Sequence, residues 1–450
     1  MGRGCTAEES VEKYLAGLSA AAGSCVSGLL IGQSSAQKDF VVLAVKTPHN
    51  ESEGSPAGRR ASSPLDDIDA EWVAEHARQV SRMLPGGVCV LGIFLITPPE
   101  LSKEAQNTLK KIIFAVDKYI SKSRLWDLSE DDVTDRITLH ICSKTRKAVC
   151  RTFDVKDPKC SAKPADWKYQ SGISSSWPVL TCSVKVDLQI PVTDSSSSVK
   201  CIKDGLRRWA KQIEAGLCLI NGRPASDDSE LLSGSRKNTK TSQQPTLRAQ
   251  LLVSEENPEA GQRCSAVVQA CSKSVSVRGV VHCRAYIHSN KPRTRHAAQA
   301  IKRDIVSTVS NRVEMLLEDL QMNEGADLDS EQQDLPRRVF APLSGSGLTL
   351  CDYMFPDETP ADVAERLKEM LDWDSAEGDI DTSVEAQACR STSVLEREEG
   401  CDDEAPQQVP PASSTEPVEK QSASRYYAGV AVAAAVALLA TATSLLYLNE

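Results

Sequence analysis

"LGIFLIT" (residues 91–97) is an unbroken apolar run held between Gly86-Gly87 and Pro98-Pro99. A run this short, bounded by turn formers, reads as a strand buried on both faces. Such a strand needs cover on each side, and the flanking sequence supplies it. Upstream, "LDDIDAEWVAEHARQVSRML" sets Ile68, Trp72, Val73, His76, Val80, Met83 and Leu84 on one helical stripe, with acids in its first turn. His76 is read there as a core residue, because no second histidine lies one turn away. Downstream, Leu101, Ala105, Leu109, Ile112, Val116 and Ile120 mark a second helix. Further out, "CVSGLLIGQ" and "DFVVLAV" are two strands joined by the polar turn "SSAQK". "RITLHICS", "AVCRTFDV" and "LTCSVKVDLQIPV" are strands too, the last alternating cleanly through Cys182, Val184, Val186, Leu188 and Ile190.

The predicted fold class is therefore mixed α/β (α+β), with a first unit over 1–190. Residues 191–247 read as a helix with the stripe Ile202, Leu206, Trp209 and Ile213, followed by a polar linker. A second, smaller α/β unit covers 248–372. It begins with strands at "AQLLVS", "SAVVQAC" and "GVVHCRAYIH" and a long helix from Thr294. It ends in a strand pair, "RRVFAPL" and "GLTLCDYMF", and the helix "TPADVAERLKEMLDW". Ser344 to Gly347 form the turn of that pair. The period of the strand places His282 and His288 on one face and Cys283 on the other, which argues against a shared metal.

The chain has 450 residues and a net charge of −10. Residues 373–424 hold thirteen acids and three bases, so that stretch alone accounts for the whole imbalance. The rest is neutral, and no basic surplus exists to attract nucleic acid. Residues 373–425 read as an acidic, disordered spacer. Fifteen cysteines are scattered from Cys5 to Cys401 without a C-x-x-C pair or an apolar leader before them, which favours reduced thiols. The six histidines (49, 76, 140, 282, 288 and 296) lack any nucleophile or metal motif, so a membrane-tethered hydrolase is the weaker reading.

"YYAGVAVAAAVALLATATSLLYL" (residues 426–448) carries no charge. As a helix it would be about 34 Å long, enough for a hydrocarbon core of about 30 Å. Tyr426, Tyr427 and Tyr447 stand at its edges, with Leu448 closing it, and Lys420 and Arg425 precede it. The expectation is a single C-terminal anchor with the bulk of the chain cytosolic. Gly429, Ala433 and Ala437 make a small-residue row that a second helix could pack against, although Ala-rich spans produce such rows readily.

"VSGLLIGQ", a second strand, a helix and "VLGIFLITPP" together resemble the MPN (JAB-type) fold. The resemblance implies a zinc site made by two histidines at the end of the strand, a downstream Asp and a Glu from the first strand. Here the histidine positions fall on Leu95 and Thr97, the Glu on Cys25, and the downstream Ser and Asp on Ala105 and Thr108. The match implies a pseudoenzyme without catalytic residues, metal or cofactor. A wider resemblance rests on "HARQVSRMLPGG", "RLWDLSEDDVTDRITLHIC", "DPKCSAKPADWKYQSGISSSW", "CRAYIHSNKP" and the anchor. These strings are similar to the odorant response abnormal protein 4 family. That resemblance implies a non-enzymatic adaptor or chaperone in the endoplasmic reticulum membrane, with a subset of G-protein-coupled receptors as clients. An MPN-like or ubiquitin-fold-modifier-specific protease is the implied partner, with a scaffold recruiting that protease as the alternative role. "DWKYQSGISSSW" (166–177) and Trp126 are candidates for a docking loop or for closure of the core.

Overall fold

The computed structural model describes residues 2–18, 24–50, 64–66, 68–192, 197–225, 229–232, 244–253, 273–322 and 334–385. In chain order the first elements are β1 (Arg3–Glu8), α1 (Glu9–Gly17), β2 (Val26–Ser34), β3 (Lys38–Lys46), α2 (Ala70–Arg82) and β4 (Cys89–Thr97). α3 (Ala105–Ser123), β5 (Asp135–Cys142), β6 (Ala148–Asp154) and β7 (Lys163–Gln170) complete this part. The seven strands close into a barrel in the order β1-β3-β2-β4-β5-β6-β7.

The opening run is β4, and its alternation explains why it is apolar throughout. Phe94 and Ile96 face the barrel interior with Leu30, Val41, Ile137 and Leu139. Ile93 and Leu95 face the other way, onto Val73 and Ala77 of α2 and Leu109 and Ile112 of α3. Gly28 pairs with Phe94 across the β2–β4 ladder, and a Cβ there would collide with the Phe94 ring and the Val45 carbonyl. Only glycine lets the ring in.

The short strands Leu217–Ile220 and Arg223–Pro224, in the stretch expected as helix and linker, were not expected from the sequence. Nor were two of the barrel strands, and they are the ones that seal it. β1 and β7 run parallel from Arg3 opposite Ala165 to Glu8 opposite Gln170. "DWKY" is thus strand, not loop. Trp177 is 1% exposed and meets the Phe40 ring edge-on at 6.2 Å, so the docking-loop alternative is corrected for that residue in favour of core closure.

The later elements are β8 (Val179–Val192), α4 (Ser198–Ala215), β9 (Leu217–Ile220), β10 (Arg223–Pro224), β11 (Thr246–Leu252), β12 (Lys273–Tyr286) and α5 (Thr294–Met322). β13 (Arg337–Pro342), β14 (Thr349–Met354) and α6 (Pro360–Leu371) follow. A second sheet has the order β10-β9-β11-β8-β12 and is covered by α4 and α5. The expected boundary at 190 falls inside β8, which pairs antiparallel with β12 along fourteen residues of each strand. The strand assigned to the first unit is an inner strand of the second sheet, between β11 and β12.

The expected second unit is also divided. Val339, Leu350, Val363 and Leu367, from the β13–β14 hairpin and α6, pack in the same core as Leu95 and Val73. Cys351 N–H donates to the Met83 carbonyl at 2.9 Å. Apolar stripes at these positions are satisfied equally by either unit, and periodicity alone does not choose between them.

Residues 373–385, expected as the start of the spacer, are part of the fold. Asp381 exchanges both backbone hydrogen bonds with Phe340, and Glu385 is 4% exposed. Acidic composition suggested solvation, but Glu385 has a buried arginine to answer it. The expected strand "SAVVQAC", the remaining spacer 386–425 and the span 426–448, with Tyr426, Tyr427, Gly429, Ala433, Ala437, Tyr447 and Leu448, lie outside the described residues. Among the described residues no helix is long and apolar enough to cross a membrane.

Candidate functional site

The positions singled out by the sequence converge at one end of β4. β2 and β4 pair with Val26 opposite Ile96, which carries Cys25 alongside Thr97. Leu95 and Ala105 are both fully buried in the core under α2 and α3, and Cys25 packs against the same cluster. Thr108 lies half-buried in the first turn of α3, where its N–H donates to the Glu104 carbonyl at 3.2 Å. Leu95 fills the place where a first imidazole would reach out.

Thr97 is engaged with a residue that motif reading passed over. Its hydroxyl donates to the Pro98 carbonyl at 3.1 Å and lies 2.9 Å from Nε2 of His140 on β5. With that hydroxyl proton committed, the Nε2–H of the imidazole is the donor to Thr97. Burial pulls the His140 pKa below its ordinary value, which favours this neutral form. The signal was present in "RITLHICS": Thr138, His140 and Cys142 alternate against Ile137, Leu139 and Ile141. Among the described residues no three His, Cys, Asp or Glu side chains are grouped to hold a metal. The positions aligned with the motif's acids, Cys25 and Thr108, carry no carboxylate, and the imidazole of His140 is engaged with the Thr97 hydroxyl.

The other histidines are placed by packing. His76 is 5% exposed, and its Nε2–H donates to the Met370 carbonyl of α6 at 2.8 Å. Nδ1 is buried with no hydrogen-bond partner, so a second proton there would have no acceptor. Burial accordingly pushes the His76 pKa down to about 4. His288 is beyond the end of β12, its ring centroid 5.2 Å from that of Phe40. Cys283 is fully buried behind His282, so the three do not converge.

The sheet and the barrel are tied by buried polar groups. The Gln33 amide donates to the carbonyls of Gly87 and Tyr286, both at 2.7 Å, and accepts from His288 N–H at 2.5 Å. Gly87 has φ +80°, and a Cβ there would strike the Tyr286 carbonyl, so the bridge depends on glycine. The Glu8 carboxylate accepts from the N–H groups of Gly172 and Ile173 at 2.5 and 2.9 Å, which pins the segment that had been a docking candidate. Trp126 stays half-buried, with the Arg303 guanidinium 5.8 Å from its ring centroid.

The sequence that builds this closed α/β body matches a family model over most of its length. The family model for odorant response abnormal 4-like proteins matches residues 28–382. The chain belongs to that family. It is 45% identical to the human protein odr-4 homolog over 466 residues, covering 100% of both chains. It is 22% identical to odorant response abnormal protein 4 of Caenorhabditis elegans over 367 residues, which covers 79% of this chain and 72% of that one. Among solved structures, the crystal structure of UfSP from C. elegans aligns at a TM-score of 0.41 and 8% identity, covering 82% of this chain and 56% of that one.

Proposed function

We propose that this chain is a non-enzymatic adaptor, anchored by residues 426–448 in the endoplasmic reticulum membrane, that supports folding and export of odorant-type G-protein-coupled receptors. The observation that carries this reading is the full-length match to the human protein odr-4 homolog, together with the odorant response abnormal 4-like family model over residues 28–382. The non-enzymatic part is supported by Leu95 and Ala105, which close the end of β4 with apolar packing. The first unit would be an MPN-type body retained for its surfaces, with the bulk of the chain on the cytosolic side.

The test is delivery of an odorant-type receptor to the cell surface in cells lacking the endogenous protein. Deleting 426–450 should leave a soluble protein and a receptor held in the endoplasmic reticulum. Normal delivery with the deletion would overturn the adaptor reading. An unrelated anchor of equal length should restore delivery if the span only tethers, whereas correct localisation without rescue would assign the Gly429-Ala433-Ala437 row a helix partner. A glycan on Asn50, in the sequon Asn50-Glu51-Ser52, would refute the cytosolic topology. Proteins captured with the full-length chain distinguish a receptor client from a ubiquitin-fold-modifier-specific protease, the partner of the alternative scaffold role.

A further inference from the structure

Between the barrel and α5 lies a cavity of about 380 Å³, at the lower end of the range for small-molecule sites. Its wall includes Arg124 and Arg136 from the barrel part, Arg303 from α5, the Trp126 indole and Cys89 at the start of β4. The arginines differ in how they are answered. Arg303 is held by Asp132 through two parallel bonds of 2.8 and 2.7 Å, yet its Nε–H is buried without an acceptor. Arg136 has Asp117 at 3.4 Å and donates to the Val133 carbonyl at 2.8 Å. Arg124 donates to the Ser121 hydroxyl at 3.2 Å and has no ion-pair partner among the described residues.

The main opposing charge on Arg124 is Asp117, which Arg136 already engages, so an arginine half-buried beside two others is only partly neutralised, at an electrostatic cost. Burial holds the Arg124 pKa below its ordinary value; Asp117 opposes that shift, and the guanidiniums of Arg136 and Arg303 add to it. The position of Arg124 at the C-terminal end of α3 relieves part of that cost through the helix dipole. The dipole gives Arg303 Nε–H no acceptor. A tetrahedral oxyanion supplies both deficits, since guanidinium forks match phosphate oxygens.

We propose that this cavity binds a phosphate-class oxyanion, with Arg124 as its principal charge and Arg136 and Arg303 Nε–H as further donors. The Trp126 indole and the side chains of Ile120 and Leu125 leave room on the same wall for a small organic ester.

Cys89 reports on the site without being part of the binding set. It is an exposed residue of the cavity wall; burial of its thiol raises the pKa and Asp39 adds to that, while the guanidiniums of Arg136, Arg124 and Arg303 oppose it. The experiment uses the full-length chain in detergent, alkylated with iodoacetate or iodoacetamide and read peptide by peptide by mass spectrometry. Both reagents need the thiolate, so their rate ratio isolates the charge of the cavity. Compared with a free thiol peptide, Cys89 should favour iodoacetate. Arg124→Gln should lower that preference by up to about fivefold, the ceiling set by one unit charge at contact distance in water. Inorganic phosphate or adenosine monophosphate, against chloride at equal ionic strength, should slow alkylation of Cys89 in the native chain and not in Arg124→Gln. Stronger protection by the monophosphate identifies an ester as the ligand, and equal protection identifies the free ion. Arg124→Lys keeps the charge and loses the fork, so it should retain the iodoacetate preference with weaker protection. Circular dichroism on each variant verifies folding. No protection by either anion, or equal protection in native and Arg124→Gln protein, would overturn the proposal.

Discussion

Arg338 and Asp304 are joined by two parallel hydrogen bonds of 2.7 and 2.9 Å, with their side chains 1% and 2% exposed. The same carboxylate accepts from Arg284 N–H at 2.9 Å, so one aspartate of α5 ties down both β12 and β13. Removing it alone would strand a charge in the core. Asp304→Ala should cost about 3–5 kcal/mol, whereas replacing both partners with apolar residues, Asp304→Leu with Arg338→Met, should cost much less. Urea unfolding of the two variants provides the comparison. Equal losses would mean that the pair is not acting as a neutralised unit.

Acid should weaken the fold through histidines that are buried neutral. Burial pushes the pKa values of His76 and His288 down to about 4, the latter with help from His296. As pH falls from about 6.5 towards 4, the unfolded chain takes up protons that the folded chain refuses. Stability from each group is therefore complete above pH 6.5 and is lost as pH falls through that window, by at most about 3 kcal/mol per group. His76→Gln keeps a donor for the Met370 carbonyl and does not titrate. Its unfolding midpoint should fall less between pH 7 and pH 4.5, and a profile parallel to the native one would exclude His76 as a source.

Glu385 completes the fold from a region whose composition looked like spacer. Its carboxylate accepts from Arg312 at 2.5 Å and from the N–H groups of His282 and Arg338, both at 2.9 Å. Glu385→Ala leaves these three donors without an acceptor and should cost about 3 kcal/mol. Hydrogen exchange should accelerate first at the amides of His282 and Arg338. Unchanged protection at both would show that water replaces the carboxylate at no cost.

Restoring the two histidines at the end of β4 should harm the protein without equipping it. Leu95→His with Thr97→His places an imidazole in a fully apolar position and breaks the contact to His140. The expected loss is about 3 kcal/mol or more, with no zinc-dependent isopeptide cleavage, because Cys25, Ala105 and Thr108 supply no carboxylate. A variant of native stability holding stoichiometric zinc would count against this account of the site.

Local pattern carried much of the fold, and long-range pairing carried the rest. β4 and α2 were legible because their periods match their burial, and His76 followed from having no partner within its helix. β1 and β7 were not legible: "RGCTAE" and "KPADWKYQ" are charged or proline-bearing, and they become strands by pairing with each other. β8 was read as a strand but placed in the wrong body, since alternation says which face is buried and not which strand lies beside it. The convergence of Cys25, Leu95 and Ala105 followed from the resemblance, whereas His140 joins them through cross-strand register. Glu385 was hidden for a different reason. A lone acid in an acidic stretch gives no sign of a buried arginine more than seventy residues away in sequence.

The position of Glu385 also determines how the folded body would bear a load. A pull from the C-terminal side meets Glu385 first, then the Asp381–Phe340 bridge, and only afterwards α6 and the barrel. Yielding at the first of these points would free the His282 N–H on the edge of β12 while the core stayed closed. Tension would thus be converted into an open hydrogen-bonding edge before any unit unfolds. Single-molecule force spectroscopy should detect this as a small early extension that Glu385→Ala abolishes.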